Sequence, residues 1–404
     1  MGRVTRNPSR VDRRARVAVA AMFLTNGALF ANLIPRYPEI KTAFGLDNAA
    51  YGLLLIAWPI GAIAAGLAAG VFIRRFGSAA VACAGTVLTA AALVAASASS
   101  VLPMLVAALF VGGAMDSITD VAQNAHGLRV QRNYGRSIIN SFHAIWSVGA
   151  VLGGAMAAAA ITLQLPLTLH LTISAALLSA VALLAFHFRL RGRDGSPLEE
   201  TRITTGGIQE VSTAVFSART VWILVALVVI AMTGTLVEDA GNSWATLYLI
   251  DSLDTPAAIA ALGFIALVGA QFLGRLVGDP LTDLIGQRAV ARIGGVVAAI
   301  GMGVALLLPT VPGTIAGFAA AGFGVATFVP AAMQRADELP GLKHGTGLTV
   351  VSWLMRLGFL LSPPLVGLVA DNASLRVALT IIPIAGIVAA LVAGVLQPVH
   401  GHKK

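Results

Sequence analysis

Apolar stretches of roughly 20 residues recur along the chain, separated by arginine clusters, Pro-Gly breaks or short polar turns. A stretch of that length spans the hydrocarbon of a bilayer as one helix, so each predicts a membrane span. Six fall in the first half, near 17–40, 50–72, 79–100, 103–131, 137–161 and 166–188. Six more fall near 220–249, 257–282, 289–309, 312–336, 344–370 and 374–396. Between the halves lies the longest polar segment, "RLRGRDGSPLEETRITTGGIQEVSTAVFSAR", whose Gly, Pro, hydroxyl residues and mixed charges suit a surface linker. The pattern gives a basic N-terminus over 1–16, a six-helix bundle over 17–189, a linker over 190–219, a second six-helix bundle over 220–397 and a tail over 398–404. The fold class expected is an all-α integral membrane protein of twelve transmembrane helices in two bundles.

Composition agrees with this pattern. Of 404 residues, 57% are hydrophobic and only 11% charged, whereas a water-soluble domain carries about 25% charged residues. The net charge of +9 raises nucleic-acid binding, but the basic residues lie in small groups between spans and form no groove-facing patch, so no nucleic-acid partner is expected. Their rhythm reports topology instead. With the N-terminus inside, only Arg36, Lys41 and Arg376 of the 27 Lys and Arg fall in outer loops, and Arg275 and Arg356 fall within spans. The positive-inside rule then places both termini in the cytoplasm, and the dominance of arginine over lysine with the Ala-rich spans suggests the inner (plasma) membrane of a bacterial cell. The basic start and the first apolar run imitate a signal peptide, but the run is long enough to span and the topology closes only if it is retained. Cys83 is the only cysteine, which leaves no intrachain disulfide and no cysteine metal cage; no metal and no cofactor are expected.

A shift of 209 positions superposes the halves. Arg74-Arg75-Phe76-Gly77 falls on Asp283-Leu284-Ile285-Gly286, each in the cytoplasmic turn after the second span of its half, while Gly113 meets Gly322 and Gly149 meets Gly358. Two halves of the same orientation are the parallel repeat from which secondary transporters are built around a central cavity.

The residues with chemistry to offer sit inside the spans. Asp116, Asp120 and Asn124, in "GGAMDSITDVAQNAHG", are spaced i, i+4, i+8 and share one helix face over about 12 Å. A carboxylate near the bilayer centre costs about 2.5–3.5 kcal/mol even on the lenient insertion scale, so the stripe should face inward. Mutual repulsion and desolvation suit the pair to loading and releasing a proton. The alternative is that they pair with interhelical donors such as Arg356 and hold the bundle together. In the seventh span, "LVEDAGNSWATLYLID" places Glu238 and Asn242 at i, i+4, with Asp239 about 100° away, so only one of the two acids can sit squarely on the cavity face. Gly234 and Gly241 would let this helix bend or unwind around a ligand, unless the acidic pair is an outer-end cap. Trp244 is either a ligand contact or an interfacial anchor. In the fifth span Asn140, His143 and Trp146 form a polar and aromatic platform suited to a hydroxylated ligand. The following Gly149, Gly153 and Gly154 read as a helix-packing seam. Arg356 has almost wholly apolar neighbours and needs an anionic partner or ligand, either Asp116 or Asp120 or a substrate carboxylate. Arg275, near the end of the eighth span, is expected to snorkel and pair with Asp279 or Asp283, serving at most as a gate residue.

The stretch "GRLVGDPLTDLIGQR" resembles the cytoplasmic signature of the major facilitator superfamily, with Asp283, Gly286 and Arg288 on its pattern. The first-half copy, "GVFIRRFGSAAV", keeps Arg75 and Gly77 but has Arg74 where the family usually has Asp. More narrowly, "DVAQN", "SFHAIWSVGAVLGG", "NLIPRYPEIKTAFGLDNAAYGLLL" and "EDAGNSWATLYL" resemble the fucose-permease-like branch across nearly the whole chain. The resemblance implies alternating access and, in many relatives, proton-coupled movement of small polar solutes such as sugars. It matches Asp120 and Asn124 to the branch's fourth-span acid and amide, and sets His143, Glu238, Asn242 and Trp244 on polar or aromatic motif positions. Asp116 and Arg356 are additions that point to a different substrate, such as an anion.

The function expected is therefore secondary active transport of a small polar solute, sugar-like or an organic anion, coupled to protons through Asp116, Asp120 and Glu238, by a monomer. Drug or metabolite efflux by the same fold and a transport-inactive solute sensor are the alternatives. No phosphate-binding loop supports a primary pump, and a membrane enzyme built on Asp116, Asp120 and His143 lacks any metal-ligand spacing.

Overall fold

The computed structural model describes residues 9–66, 68–134, 138–192, 218–337, 339 and 346–396. Residues 1–8, most of the expected linker and the tail from 397 lie outside this set, as does the side chain of Asn140. Among the described residues twelve helices are long and apolar enough to cross a membrane. They are α1 (Arg10–Ala43), α2 (Asn48–Gly66), α3 (Ser78–Ser97), α4 (Leu102–Tyr134), α5 (Ser141–Thr162), α6 (Leu167–His187), α7 (Ala218–Leu253), α8 (Ala257–Gly278), α9 (Gln287–Leu307), α10 (Val311–Ala336), α11 (Val350–Asn372) and α12 (Leu375–Leu396). Helices suit this setting because each satisfies its own backbone where water is absent. Large apolar side chains such as Leu183, Ile300 and Leu391 stand exposed on them, as a lipid-facing surface requires.

α1 begins within the segment read from sequence as a basic N-terminus. Ser9 and Asp12 form a reciprocal capping box, the Asp12 N–H donating to Ser9 Oγ (3.1 Å) and the Ser9 N–H to Asp12 Oδ2 (3.0 Å). That cap starts the helix ahead of the apolar run.

The chain forms two compact units. One takes the described residues up to Arg36 and from Ala57 to Gly192; the other takes Tyr37–Ile56 and everything from Ala218 onwards. The exchanged segment is bounded by two helix irregularities, the 3-10 turn Ile34–Arg36 and the interruption at Ile56 between Leu55 and Ala57. Within the second unit, Asp371 accepts the backbone N–H groups of Asn48 (3.0 Å) and Ala49 (2.7 Å), and Asp47 accepts that of Ala50 (2.7 Å). Tyr51 donates to the Ser243 carbonyl (2.8 Å). The start of α2 is thereby capped from both α11 and its own loop.

The first unit packs on small residues. Ala18, Ala69, Ala82, Ala122, Ala182 and Ala185 bring α1, α3, α4 and α6 together, and Cys83 is buried among them. On the α1–α5 seam a Cβ at Gly149 would strike the Leu24 carbonyl and one at Gly153 the Ala28 carbonyl, which is the close packing expected from their sequence.

The 209-residue repeat has a local structural counterpart in each unit. Gly77 and Gly286 both adopt positive φ (85° and 83°), with their N–H groups donated to Ile73 and Thr282, themselves 209 apart. A Cβ at Gly113 would meet the Trp58 carbonyl and one at Gly322 the Leu267 carbonyl, again the same offset. Equivalent turns and equivalent helix contacts, and not the glycines alone, establish the duplication.

Candidate functional site

In the first unit the stripe on α4 is joined to α1 and α5 by a run of hydrogen bonds. Asn26 of α1 is its hub. Its amide donates to Asp116 Oδ1 (2.7 Å), while its carbonyl oxygen accepts from Trp146 Nε1 (2.8 Å) and Gln123 Nε2 (3.3 Å). Gln123 Nε2 also reaches Asp120 Oδ1 (3.3 Å). Asn124 donates to the same Asp120 oxygen (3.0 Å), and its own carbonyl oxygen lies 3.1 Å from His143 Nε2 on α5. His143 stands edge-on to Phe23 of α1 at 5.2 Å.

Seven polar or aromatic side chains thus form one connected cluster, Asp116–Asn26–Trp146–Gln123–Asp120–Asn124–His143. Asn26 and Gln123 are buried, Asp116, Asn124 and Trp146 half-buried, and Asp120 and His143 exposed on their own unit. The cluster therefore runs from the unit's interior to its surface. Asn26, which donates to Asp116, is a neutral amide, so losing or gaining a proton at that carboxylate leaves this bond free of any ion pair to break.

Asn26 and Gln123 were not singled out by the sequence pattern. Gln123 stands beside Asn124 within the polar stretch of α4, whereas Asn26 lies in a mostly apolar run, where an amide is itself a sign of an interhelical bond.

In the second unit α7 runs unbroken from Ala218 to Leu253, so the helix is not unwound at Gly234 or Gly241. Nor is the acidic pair an end cap, since the helix continues for several turns beyond it. Instead the glycines admit neighbouring helices: Gly234 faces Phe328 of α10, and Gly241 faces Leu267 of α8.

Glu238 and Asp239 meet different helices, as their angular separation requires. Glu238 accepts from Gln271 Nε2 of α8 (2.8 Å) and lies 3.8 Å from Arg275 Nη2. Of the partners expected for Arg275, the Asp279 side chain lies outside the described residues; the carboxylate found beside the guanidinium is Glu238. Gln271 and Arg275 are i, i+4 on α8, and both point across to α7. Asp239 has Ser243 and Ser362 for neighbours, with Oδ2 buried and without a hydrogen-bond partner. Asn242 Oδ1 is likewise buried and unpartnered.

Trp244 is fully buried, T-stacked on Tyr51 at 5.0 Å, with Tyr37 next in the aromatic row. An interfacial anchor would be partly exposed, so that reading of Trp244 is set aside. Arg356 follows the interruption of α11 at Met355 and is exposed, with no ion pair inside its own unit among the described residues. Thr235 of α7 donates to the Met355 carbonyl (2.9 Å), which fixes the interruption.

The turns that follow α2 and α8 carry the remaining candidates. Arg74, Arg75 and Asp283 are exposed, Gly77 and Gly286 supply the positive-φ corners, and Arg288 is half-buried in the first turn of α9. Among the described residues no group of three His, Cys, Asp or Glu is placed to hold a metal ion.

The Major Facilitator Superfamily sequence profile matches residues 19–279 and 255–404. The chain belongs to that family. Uncharacterized transporter y4wD of Sinorhizobium fredii is 32% identical over 385 residues, covering 94% of this chain and 97% of its own. Membrane protein MosC of Rhizobium meliloti is 29% identical over 390 residues, covering 96% and 91%. Among solved structures, a mutant form of the nucleoside transporter NupG superposes with a TM-score of 0.75 at 13% identity, covering 96% of this chain and 100% of that one. A D-xylose-proton symporter superposes with a TM-score of 0.71 at 16% identity, covering 96% and 98%. At such identities the structural likeness shows the major facilitator fold. This major facilitator chain is a multi-pass membrane protein of a transporter family, with a small molecule as its substrate, and not a membrane-embedded enzyme.

Proposed function

We propose that this protein is a secondary active transporter that carries a small polar solute across the membrane by alternating access and couples the movement to protons. The observation that carries the reading is the α1–α4–α5 cluster, which holds two carboxylates in membrane helices with amide, indole and imidazole partners. Such a cluster offers several donors and acceptors to a hydroxylated solute at its exposed end and a protonatable group, Asp116, further in. Protonation and solute binding would then bias the same conformational equilibrium. The fold shared with a D-xylose-proton symporter and with a nucleoside transporter supports a polar solute.

In this reading Asp116, Asp120 and Glu238 handle protons. Asn124, Asn140, His143, Trp146, Asp239, Asn242, Trp244 and Arg356 contact solute, Trp244 only by forming the wall behind Tyr51. Arg74, Arg75, Gly77, Arg275, Asp283, Gly286 and Arg288 belong to the cytoplasmic gate, Arg275 through its link to Glu238. The distribution of basic residues supports cytoplasmic termini, the Arg-rich, Ala-rich composition supports an inner (plasma) membrane location, and a monomer suffices.

Arg356 favours an anionic solute, because a guanidinium in an apolar span, with no ion pair in its own unit among the described residues, is a ready carboxylate ligand. A thermal-shift screen of the purified protein against sugars, sugar acids and organic acids at two pH values tests both points. The expected result is a pH-dependent hit among the acids, with Arg356→Ala losing at least about tenfold in affinity for it, the scale of one charge-assisted pair. Equal weakening of neutral and acidic ligands would assign Arg356 to structure instead.

A further inference from the structure

The second unit carries a groove of about 480 Å³ where α9 ends and α12 begins, away from every residue assigned above. Gly303 and Leu307 of α9 form one wall, Val377, Thr380 and Pro383 of α12 the other, and Arg376 stands at its mouth. Arg376 is held in place by the end of α9, with Nε donating to the Leu306 carbonyl (2.6 Å) and Nη2 to the Leu307 carbonyl (3.0 Å). These are among the last carbonyls of a helix, which have no partner within it. Two bonds leave most of the guanidinium's donors unspent, and its charge uncompensated: the groove contains no acidic residue, and Arg376 makes no ion pair among the described residues.

The groove opens onto apolar surface. Leu307 and Leu308 are 72% and 71% exposed, and Ile300, Val304 and Ile384 continue the exposed strip along α9 and α12. Both helices end here, so the groove lies at the boundary between hydrocarbon and headgroups. A fixed cation at that depth above an apolar strip matches a molecule with an anionic head and an acyl tail.

We propose that this groove is a binding site for an anionic phospholipid, its phosphate on Arg376 and an acyl chain along the α9–α12 strip. A zwitterionic lipid would bring an ammonium group to a groove with no carboxylate to receive it. A free phosphate would use the guanidinium and leave the apolar strip unused.

The two sources of phosphate are separable on the full-length purified protein by native mass spectrometry. The probes are phosphatidylglycerol and phosphatidylcholine with matched acyl chains, each with and without millimolar inorganic phosphate. The wild type should retain phosphatidylglycerol in preference to phosphatidylcholine, and phosphate should not displace it. Arg376→Gln should weaken phosphatidylglycerol binding about fivefold, the effect of one basic residue at an anionic lipid surface, and leave phosphatidylcholine unchanged. Because Arg376 also ties down the end of α9, a second variant keeps the test independent of folding. A Cβ at Gly303 has only Pro383 Cβ within reach, at 4.0 Å, so Gly303→Leu fills the groove while leaving the guanidinium and its two carbonyl bonds in place. It should also lower phosphatidylglycerol retention. Unchanged retention in Gly303→Leu, equal loss of both lipids in Arg376→Gln, or displacement by inorganic phosphate would each overturn the assignment.

Discussion

Asn26 of α1 ties the α4 stripe to α5. One amide satisfies Asp116 through its N–H and accepts both the Trp146 indole and Gln123 through its oxygen. Asn26→Ala should leave a carboxylate and an indole N–H short of partners inside a membrane helix bundle, at a cost on the order of 1–3 kcal/mol. Thermal unfolding in detergent measures this; a Tm equal to that of wild type would show that the cluster is not held by Asn26. The acids of α4 were legible from spacing alone, because i, i+4, i+8 names a face whatever lies opposite it. Their partners were not. Which residue of another helix stands across from Asp116 depends on the relative height and rotation of α1, and a sequence records neither. The same holds for Arg275: sequence proximity pointed to Asp279 and Asp283, and it could not show that Glu238 of α7 stands 3.8 Å from the guanidinium.

At the scale of elements, glycine positions decide how closely the helices approach. α1 and α5 meet backbone to backbone at Gly149 and Gly153, so a side chain there has nowhere to go. Gly153→Leu should force the two helices apart and destabilise the protein by the upper end of about 1–3 kcal/mol or more, and it should loosen the Asn26–Trp146 bond on the same seam. Reduced Tm together with altered Trp146 fluorescence would support this; an unchanged Tm would mean that the seam can part at no cost. The number of spans was readable because the bilayer sets helix length, although α1 begins at Arg10, seven residues ahead of its expected start. The cap at Ser9 and the interruption at Ile56 were not, since the first outweighs the basic composition around it and the second falls inside an unbroken apolar run.

For the whole molecule, duplication is the organising fact. The 209-residue offset predicted from a handful of matched positions recurs in paired positive-φ corners and paired helix contacts. The sequence pattern did not show that Tyr37–Ile56 packs with the second-half helices, an arrangement built from the Asp371 cap and the Tyr51 contacts. Hydropathy marks where a helix lies in the membrane and is silent on which neighbours it takes.

The account depends on the α4 carboxylates moving protons with the solute. The most direct measurement is the external pH of lightly buffered proteoliposomes when the solute found by the thermal-shift screen is added. Wild-type protein should alkalinise the medium as solute and protons enter together. Asp120→Asn should abolish that signal and proton-driven accumulation while keeping part of the counterflow exchange, which needs binding and conformational change but no net proton release. A proton signal of wild-type size in Asp120→Asn and in Asp116→Asn would contradict the account.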